Sequence, residues 1–496
     1  MDSVPSLRAL KHVKVGQEHQ KSRLLERGDE DGQPLSPVAR LFHEPGSNVY
    51  IVAIMGFRVK LHPDVVKPVL THVFLKHPRF SSLQVEDKES GELKWIPTEV
   101  DLENHFIVSE LDPPLQAADK FVEDYVSDLS KTNIPNTKPL WDIHLLNVKT
   151  SDAEAFLIYR IHHSIGDGMS LMALILAHSR QVSDPSALPT LPAMNKESNF
   201  LKLRGFRSVV YVLWNTLIAI FMFVLTALFL KDTRTPLKGP PGVELKPRRF
   251  VRRTIDLQDF KSVKNAMQCT INDVVLGVTQ AGLSRYLNRR YGDLQKYNGA
   301  TDLEKKNYLP KNIRLRATFF FNLRASTKIN AVVPDAVEEG AKTAKFGNKI
   351  GYVILPFNIG IQADPLDYIW QAKAVIDRKK ASLEPLFTYL FLKLVIKFFG
   401  VKTAGVFCHK IFFNTTLWFS NVPGPQEEIA FDGHPVAFTA CSCYGQPNAL
   451  MIHVISYTDK ITFVLSVDED TIPDPHRLCD DLEESLKLIK AAAVPS

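Results

Sequence analysis

Cysteine is scarce in this chain. Cys269, Cys408, Cys441, Cys443 and Cys479 are the five in 496 residues, an odd and scattered set that argues against a disulfide framework. The one close pair, Cys441 and Cys443, has no matching second pair, so no metal site is expected. A glycine-rich dinucleotide fingerprint and a phosphate-binding loop are also missing, which removes the nucleotide-binding classes those motifs mark. The first twenty residues are polar and charged throughout, unlike a secretory signal, and residues 1–30 read as a flexible tail. There is no arginine-rich tract or aromatic RNA-binding signature. The balance of 60 basic against 54 acidic residues leaves a net charge of +6, which suits anionic ligands or an anionic membrane face better than nucleic acid.

Long apolar runs are rare too, and the exception stands out. From Val209 to Leu230 the chain carries 22 residues without a charge, and at about 1.5 Å per residue such a helix covers the ~30 Å hydrocarbon layer of a bilayer. Arg204 and Arg207 precede it, and Lys231 and Arg234 follow. With no amphipathic stripe evident, membrane contact is expected rather than a central core helix. Pro236, Gly239, Pro240, Pro241 and Gly242 then read as a linker. The expected organisation is an N-terminal domain over residues 31–200, a membrane-associated segment with its linker over 201–245, and a C-terminal domain over 246–496.

Both halves mix strand and helix patterns, so the fold class is α/β (α+β). Strands are predicted from Val49 to Phe57 and from Phe156 to Ile161, and helices from Pro114 to Leu129 and Ser170 to His178. The second half shows strand patterns at 250–256, 317–322, 351–357 and 460–467, and a helix from Asn272 to Tyr286.

Between the strand ending at Ile161 and the helix beginning near Gly168 lies His162-His163-Ser164-Ile165-Gly166-Asp167-Gly168. Histidine suits proton removal from an alcohol because its ordinary pKa of about 6.5 leaves it mostly neutral near pH 7. Adjacent side chains at a strand end point to opposite faces, so one of the two histidines faces a cleft and the other the domain body. Gly166 permits a tight turn, and Asp167 is placed to cap the helix and to accept a bond from a cationic partner.

This string resembles the HHxxxDG signature of the CoA-dependent acyltransferase superfamily. Further segments are similar to the plant wax ester synthase/diacylglycerol acyltransferase family. They are Leu35-Ser36-Pro37 with Ala39-Arg40-Leu41-Phe42, Pro139-Leu140-Trp141-Asp142, Thr270-Ile271-Asn272-Asp273-Val274, Asn322-Leu323-Arg324, Phe346-Gly347-Asn348 and Ser420-Asn421-Val422-Pro423-Gly424-Pro425. They run in order from about residue 35 to 480.

The resemblance implies two similar chloramphenicol-acetyltransferase-like domains with a reaction tunnel at their interface. It implies transfer of a fatty acyl group from acyl-CoA to a long-chain alcohol, extending to diacylglycerol, by direct attack and without a bound cofactor. In that scheme His163 is the proton acceptor, His162 faces inward, and Asp167 supports the loop. Arg324 is either the partner of that carboxylate or a surface residue at a strand end. Gly168, Asn272 and Asp273 are supporting positions, the last two explained as a helix cap. Trp141 and Asn421 are candidates for substrate contact, although Trp141 also suits a core wall. The late DFGWG string of soluble HxxxD acyltransferases is absent. Such a soluble-type enzyme acting on a specialised alcohol or amine remains the alternative, beside a non-catalytic lipid-binding membrane protein.

A tunnel shared by both halves requires them on one side of the membrane. The apolar run is therefore expected to lie in the interface or re-enter the cytosolic leaflet of the endoplasmic reticulum or cell membrane, although hydropathy alone allows a single pass. A second stretch, from Leu386 to Phe413 with four interspersed lysines, is either another interfacial element or a core helix. Asn414-Thr415-Thr416 is the one N-glycosylation pattern in the sequence and offers a test of sidedness.

Overall fold

The computed structural model describes residues 32–88, 91–109, 111, 113–192, 206–297, 307–324 and 346–494; the N-terminal tail of the sequence reading lies outside them. Two large sheets carry the chain. The first has seven strands in the spatial order Phe106–Ser109, Trp141–Leu146, Ala155–His162, Tyr50–Phe57, His434–Tyr444, Ile429–Phe431 and Ser179–Gln181. Ala155–His162 is buried along its whole length, as expected of a largely apolar strand with neighbours on both sides, its charged residue Arg160 being paired with Asp142. Its register against Tyr50–Phe57 pairs Tyr50 with His162, so the strand ends where the histidine motif begins.

The second sheet has six strands in the order Ile350–Phe357, Leu315–Asn322, Leu417–Val422, Leu450–Tyr457, Lys460–Val467 and Arg249–Asp256. Helices Ile271–Tyr297, Asp367–Lys380 and Pro475–Ala493 share an apolar cluster with it through Leu283, Ile369 and Leu482. The predicted strands and helices all appear, with shifts of a few residues at their ends except for the helix predicted to stop at Tyr286, which continues to Tyr297.

The second half of the chain also contributes strands to the first sheet. Strands 429–431 and 434–444 lie in the second half of the chain but hydrogen-bond into the first sheet, with Tyr444 stacked on Tyr50 at 5.1 Å. Residues 246–496 are therefore not a self-contained unit. Strand periodicity reveals a strand and its buried face, but not which sheet supplies its hydrogen-bonding neighbour.

The apolar run forms the helix Phe206–Leu228, the helix among the described residues long and apolar enough to cross a membrane. It does have a stripe: Thr216, Ala219, Phe223, Thr226 and Ala227 are buried. The rest faces outward, with Trp214, Leu217 and Phe221 each about 60% exposed. Its C-terminal end is anchored where Arg316 bonds Asp232 at 2.6 Å and also reaches Thr226.

Residues Glu384–Asn414 form a helical hairpin rather than a rod. Gly400 breaks the helix at φ +81°, a conformation that costs glycine little. Phe391 and Phe407 would stand ~24 Å apart in a straight helix, yet their rings are 5.4 Å apart. Phe223 packs on both arms through Phe387, Phe391 and Phe407. Thr216 Oγ1 accepts from Leu383 N, and Thr226 O accepts from Asn414 Nδ2. The helix Phe206–Leu228 thus runs across the base of the hairpin, from the start of one arm to the end of the other. Phe398 and Phe399, each 69% exposed, form the hairpin tip.

Candidate active site

A cavity of about 660 Å³ opens between the inner faces of the two sheets. Tyr159, Ile161 and Cys441 line it from the first sheet, and Phe320, Trp418 and Met451 from the second. Leu392, Cys408 and Phe412 of the hairpin contribute a third wall.

His163 stands immediately after the central strand and lines this cavity. Its backbone N–H donates to Val49 O at 2.9 Å, and its ring stacks on Phe42 with centroids 4.2 Å apart. Its Nδ1 lies 3.1 Å from Asn348 Oδ1, while Asn348 Nδ2 donates to His163 O at 2.9 Å. The second bond fixes the amide so that an oxygen faces the ring, and Nδ1 must then carry the proton. Nε2 is left with its lone pair. Burial pushes the imidazole below its ordinary value, opposed by the Asp167 carboxylate and the Asn348 bond, so the neutral ring is favoured.

His162 takes the opposite course. It is 1% exposed and points into the domain body, with Nδ1 2.7 Å from Ser164 Oγ and Nε2 3.0 Å from Asn48 Oδ1. Tyr50 and His43 pack against its ring. Burial holds it well below the ordinary histidine value, reinforced by the neighbouring His43 and His163. Both of its nitrogens are engaged and neither lines the cavity.

Asp167 is the N-cap of the helix Gly168–Ala177 and accepts from Ser170 N at 3.0 Å. Its other oxygen meets Arg324 Nη1 at 2.8 Å and Lys349 N at 3.0 Å. Both side chains of the pair are buried, so Arg324 is its partner rather than a surface residue. Arg324 Nη2 donates to Ser170 Oγ at 2.9 Å and also reaches Gly347 O. Gly347 adopts φ +126°, and a Cβ there would come within 2.6 Å of Arg79 Nη1. Arg79 itself donates to Ile165 O at 2.8 Å. The motif loop is thereby clasped to the second sheet through Arg324 and residues 347–349, which flank its strands, and held from the first half of the chain by Arg79. Gly168 begins the helix at the cavity wall, where an added Cβ would meet nothing within 4 Å.

The remaining sequence candidates separate. Asp273 forms a reciprocal cap with Thr270, Asp273 Oδ2 accepting from Thr270 N at 2.8 Å and Thr270 Oγ1 from Asp273 N at 3.3 Å. Asn272 does not cap that helix; it accepts from Asn421 Nδ2 across the chain, and both line the cavity. Trp141 is not a cavity residue. It is fully buried in the first core, stacked on His105 at 4.2 Å and donating Nε1–H to Phe80 O at 2.8 Å. Its neighbour Asp142 instead forms a buried pair with Arg160, Oδ1 accepting from Nε at 2.9 Å.

Several site residues were not identified from the sequence. Asn348 and Phe42 belong to segments that carry the family resemblance, so that resemblance was the available signal for them. Arg79 and His453 had none, because their placement depends on contacts far along the chain.

Two sheets around one cavity, with the HHxxxDG loop at its centre, define the chloramphenicol-acetyltransferase-like class. Solved structures agree: a wax ester synthase/diacylglycerol acyltransferase from Marinobacter aquaeolei VT8 superposes with a TM-score of 0.59 over 93% of this chain and 99% of its own, at 19% identity. The first condensation domain of the CDA synthetase gives 0.53 over 94% and 97%, at 12% identity. At those identities the likeness concerns the fold. Sequence comparison is more specific. Residues 68–275 match the wax ester synthase/diacylglycerol acyltransferase catalytic domain, and residues 346–490 the WS/DGAT C-terminal domain. Wax ester synthase/diacylglycerol acyltransferases 4 and 11 of Arabidopsis thaliana are each 46% identical, over 93% of this chain and 91% and 95% of theirs. The chain belongs to the wax ester synthase/diacylglycerol acyltransferase family and is an acyltransferase.

Proposed function

We propose that the protein transfers a fatty acyl group from acyl-CoA to a long-chain alcohol, and also to diacylglycerol, with His163 as the general base. The orientation of His163 carries this reading: Nδ1 is committed to Asn348, and Nε2 retains a lone pair in an apolar cavity. The acceptor hydroxyl gives its proton to Nε2 as its oxygen attacks the thioester carbon. The tetrahedral adduct collapses with loss of the carbon–sulfur bond, and the imidazolium returns the proton to the departing CoA thiolate. Atoms and charge balance without an acyl-enzyme or a bound cofactor. Asp167 and Arg324 hold the loop and do not touch the reacting atoms in this scheme.

Membrane association belongs to the same reading. The outward faces of the helix Phe206–Leu228 and the hairpin 384–414 form one apolar surface, and Lys393, Lys397, Lys402 and Lys410 lie along the hairpin. The crossing of helix and hairpin favours an in-plane element over a single pass, with both halves on the cytosolic side of an endoplasmic reticulum or plasma membrane. Lipid acceptors partition into such a bilayer by about 0.8 kcal/mol per methylene. Asn414 no longer serves as a simple sidedness test: it is 1% exposed with its amide bonded to Thr226 O, so an unglycosylated Asn414 follows from the fold on either side of a membrane.

The test is an assay of membranes containing the protein with labelled palmitoyl-CoA and either hexadecanol or diacylglycerol, beside His163→Ala. Ester formation that survives the substitution removes His163 as base. No product from either acceptor removes the assignment of substrates.

A further inference from the structure

We propose that His453 and Ser420 form a polar subsite within the cavity that holds a second oxygen of the acceptor lipid, the ester carbonyl of a diacylglycerol. The proposal rests on the acyl-transfer reading and narrows its acceptor class. His453 lies on the strand Leu450–Tyr457, and Ser420 is its paired position on the adjacent parallel strand. Both line the cavity that holds His163. The alternate residues on the same strand faces, Met451, Ile455, Trp418 and Val422, are apolar or aromatic and also line it. A polar pair therefore interrupts an otherwise hydrocarbon-compatible wall.

Neither ring nitrogen of His453 has a hydrogen-bond partner among the described residues. Burial pushes the ring down to about 4, so at neutral pH it carries one donor and one acceptor. Trp418 Nε1 and Thr439 Oγ1 are likewise unpartnered and line the same cavity. Water can serve these groups while the cavity is empty. A purely hydrocarbon chain packed against them strands them, at a cost of ~1–3 kcal/mol for a buried polar group. An acceptor with ester oxygens at that depth does not. A fatty alcohol and a simple acyl chain have no oxygen beyond the reacting group, whereas diacylglycerol has two esters.

His453 also differs from His163 in that nothing among the described residues fixes its tautomer. It is suited to hold a ligand oxygen through whichever nitrogen carries the proton, and it is not oriented as a base.

The experiment compares kcat/KM for diacylglycerol and hexadecanol with palmitoyl-CoA in the wild type, His453→Leu and His453→Gln. His453→Leu is expected to lower the diacylglycerol value about tenfold, the loss of one hydrogen bond, and to leave the hexadecanol value level or raise it, because a hydrocarbon chain no longer strands the ring. Glutamine, which keeps a donor and an acceptor, is expected to restore most of the ratio. An unchanged ratio in both variants overturns the proposal. So does an equal fall with both acceptors, which would place His453 against the pantetheine amides of CoA or in a structural role. A wild type that esterifies hexadecanol but not diacylglycerol also overturns it. A wild type that esterifies neither removes the acyl-transfer reading itself, and that outcome is visible before any His453 variant is compared.

Discussion

His162 and His163 are neighbours at the end of one strand, and both rings are held neutral, yet they occupy different environments. His162 has Ser164 and Asn48 on its two nitrogens and aromatic rings around it. His163 has one nitrogen secured by Asn348 and its ring braced by Phe42 in a cavity wall. The difference separates two uses of the same side chain. Satisfying both nitrogens makes histidine a structural cross-link, while satisfying only one prepares the other for chemistry.

Substitutions can break that comparison in a definite order. His163→Ala is expected to reduce ester formation by ~10²–10⁴-fold, the usual contribution of a general base, with little change in thermal melting. A large fall in melting temperature instead would put His163 among the structural residues. Next comes Asp167→Ala, which removes both the helix cap at Ser170 N and the buried carboxylate that pairs with Arg324 and is expected to cost ~3–5 kcal/mol of stability in chemical denaturation. A loss under 1 kcal/mol would show that the clasp is dispensable. His162→Leu is expected to cost ~1–3 kcal/mol by stranding the Asn48 amide oxygen, Ser164 keeping its bond to Gln84, while the folded fraction retains turnover. Asn348→Ala should then slow the reaction by about tenfold, since one hydrogen bond and the preferred tautomer are lost; an unaffected rate would mean that the tautomer is set elsewhere.

The smallest effect is the pH response. His163 acts in its neutral form, and its folded value lies below 6.5, so kcat/KM should be level around neutrality and fall only at pH below 6.5. Stability follows the same sign. His77, His105 and His453 are pushed down to about 4 in the fold, so the unfolded chain binds more protons between pH 4 and 6.5. Stability is full above 6.5 and is lost as pH falls through that window. Melting temperatures that rise on acidification from pH 7 to 5 would contradict this assignment.

Much of the site was legible in one short string, because a strand end, a tight turn and a helix cap are local events. Asp167 and Gly168 are placed by those local rules, which leave open which histidine faces the cleft; the family resemblance singled out His163 and extended the reading to Arg324. Trp141 misled as a candidate because a tryptophan beside a motif suits a core wall as well as a pocket wall, and only packing against Phe74 and His105 separates the two. Asn272 was assigned to a cap that Thr270 and Asp273 complete without it. The stretch after Leu386 suits core and interface alike in the sequence, since a heavily apolar helix broken by lysines fits both until its partner arm is seen.

The sequence by itself determined the α/β composition, the position of the histidine motif between strand and helix, the family and the presence of one membrane-length apolar helix. These follow from local periodicity, capping chemistry and motif order. Tertiary structure decided that strands 429–431 and 434–444 complete the first sheet, that Asn348 orients His163, that Arg324 reaches Asp167, and that residues 384–414 fold back on themselves. Each of these depends on hydrogen bonds or packing between segments far apart in the chain, and no local pattern specifies the partner at the other end.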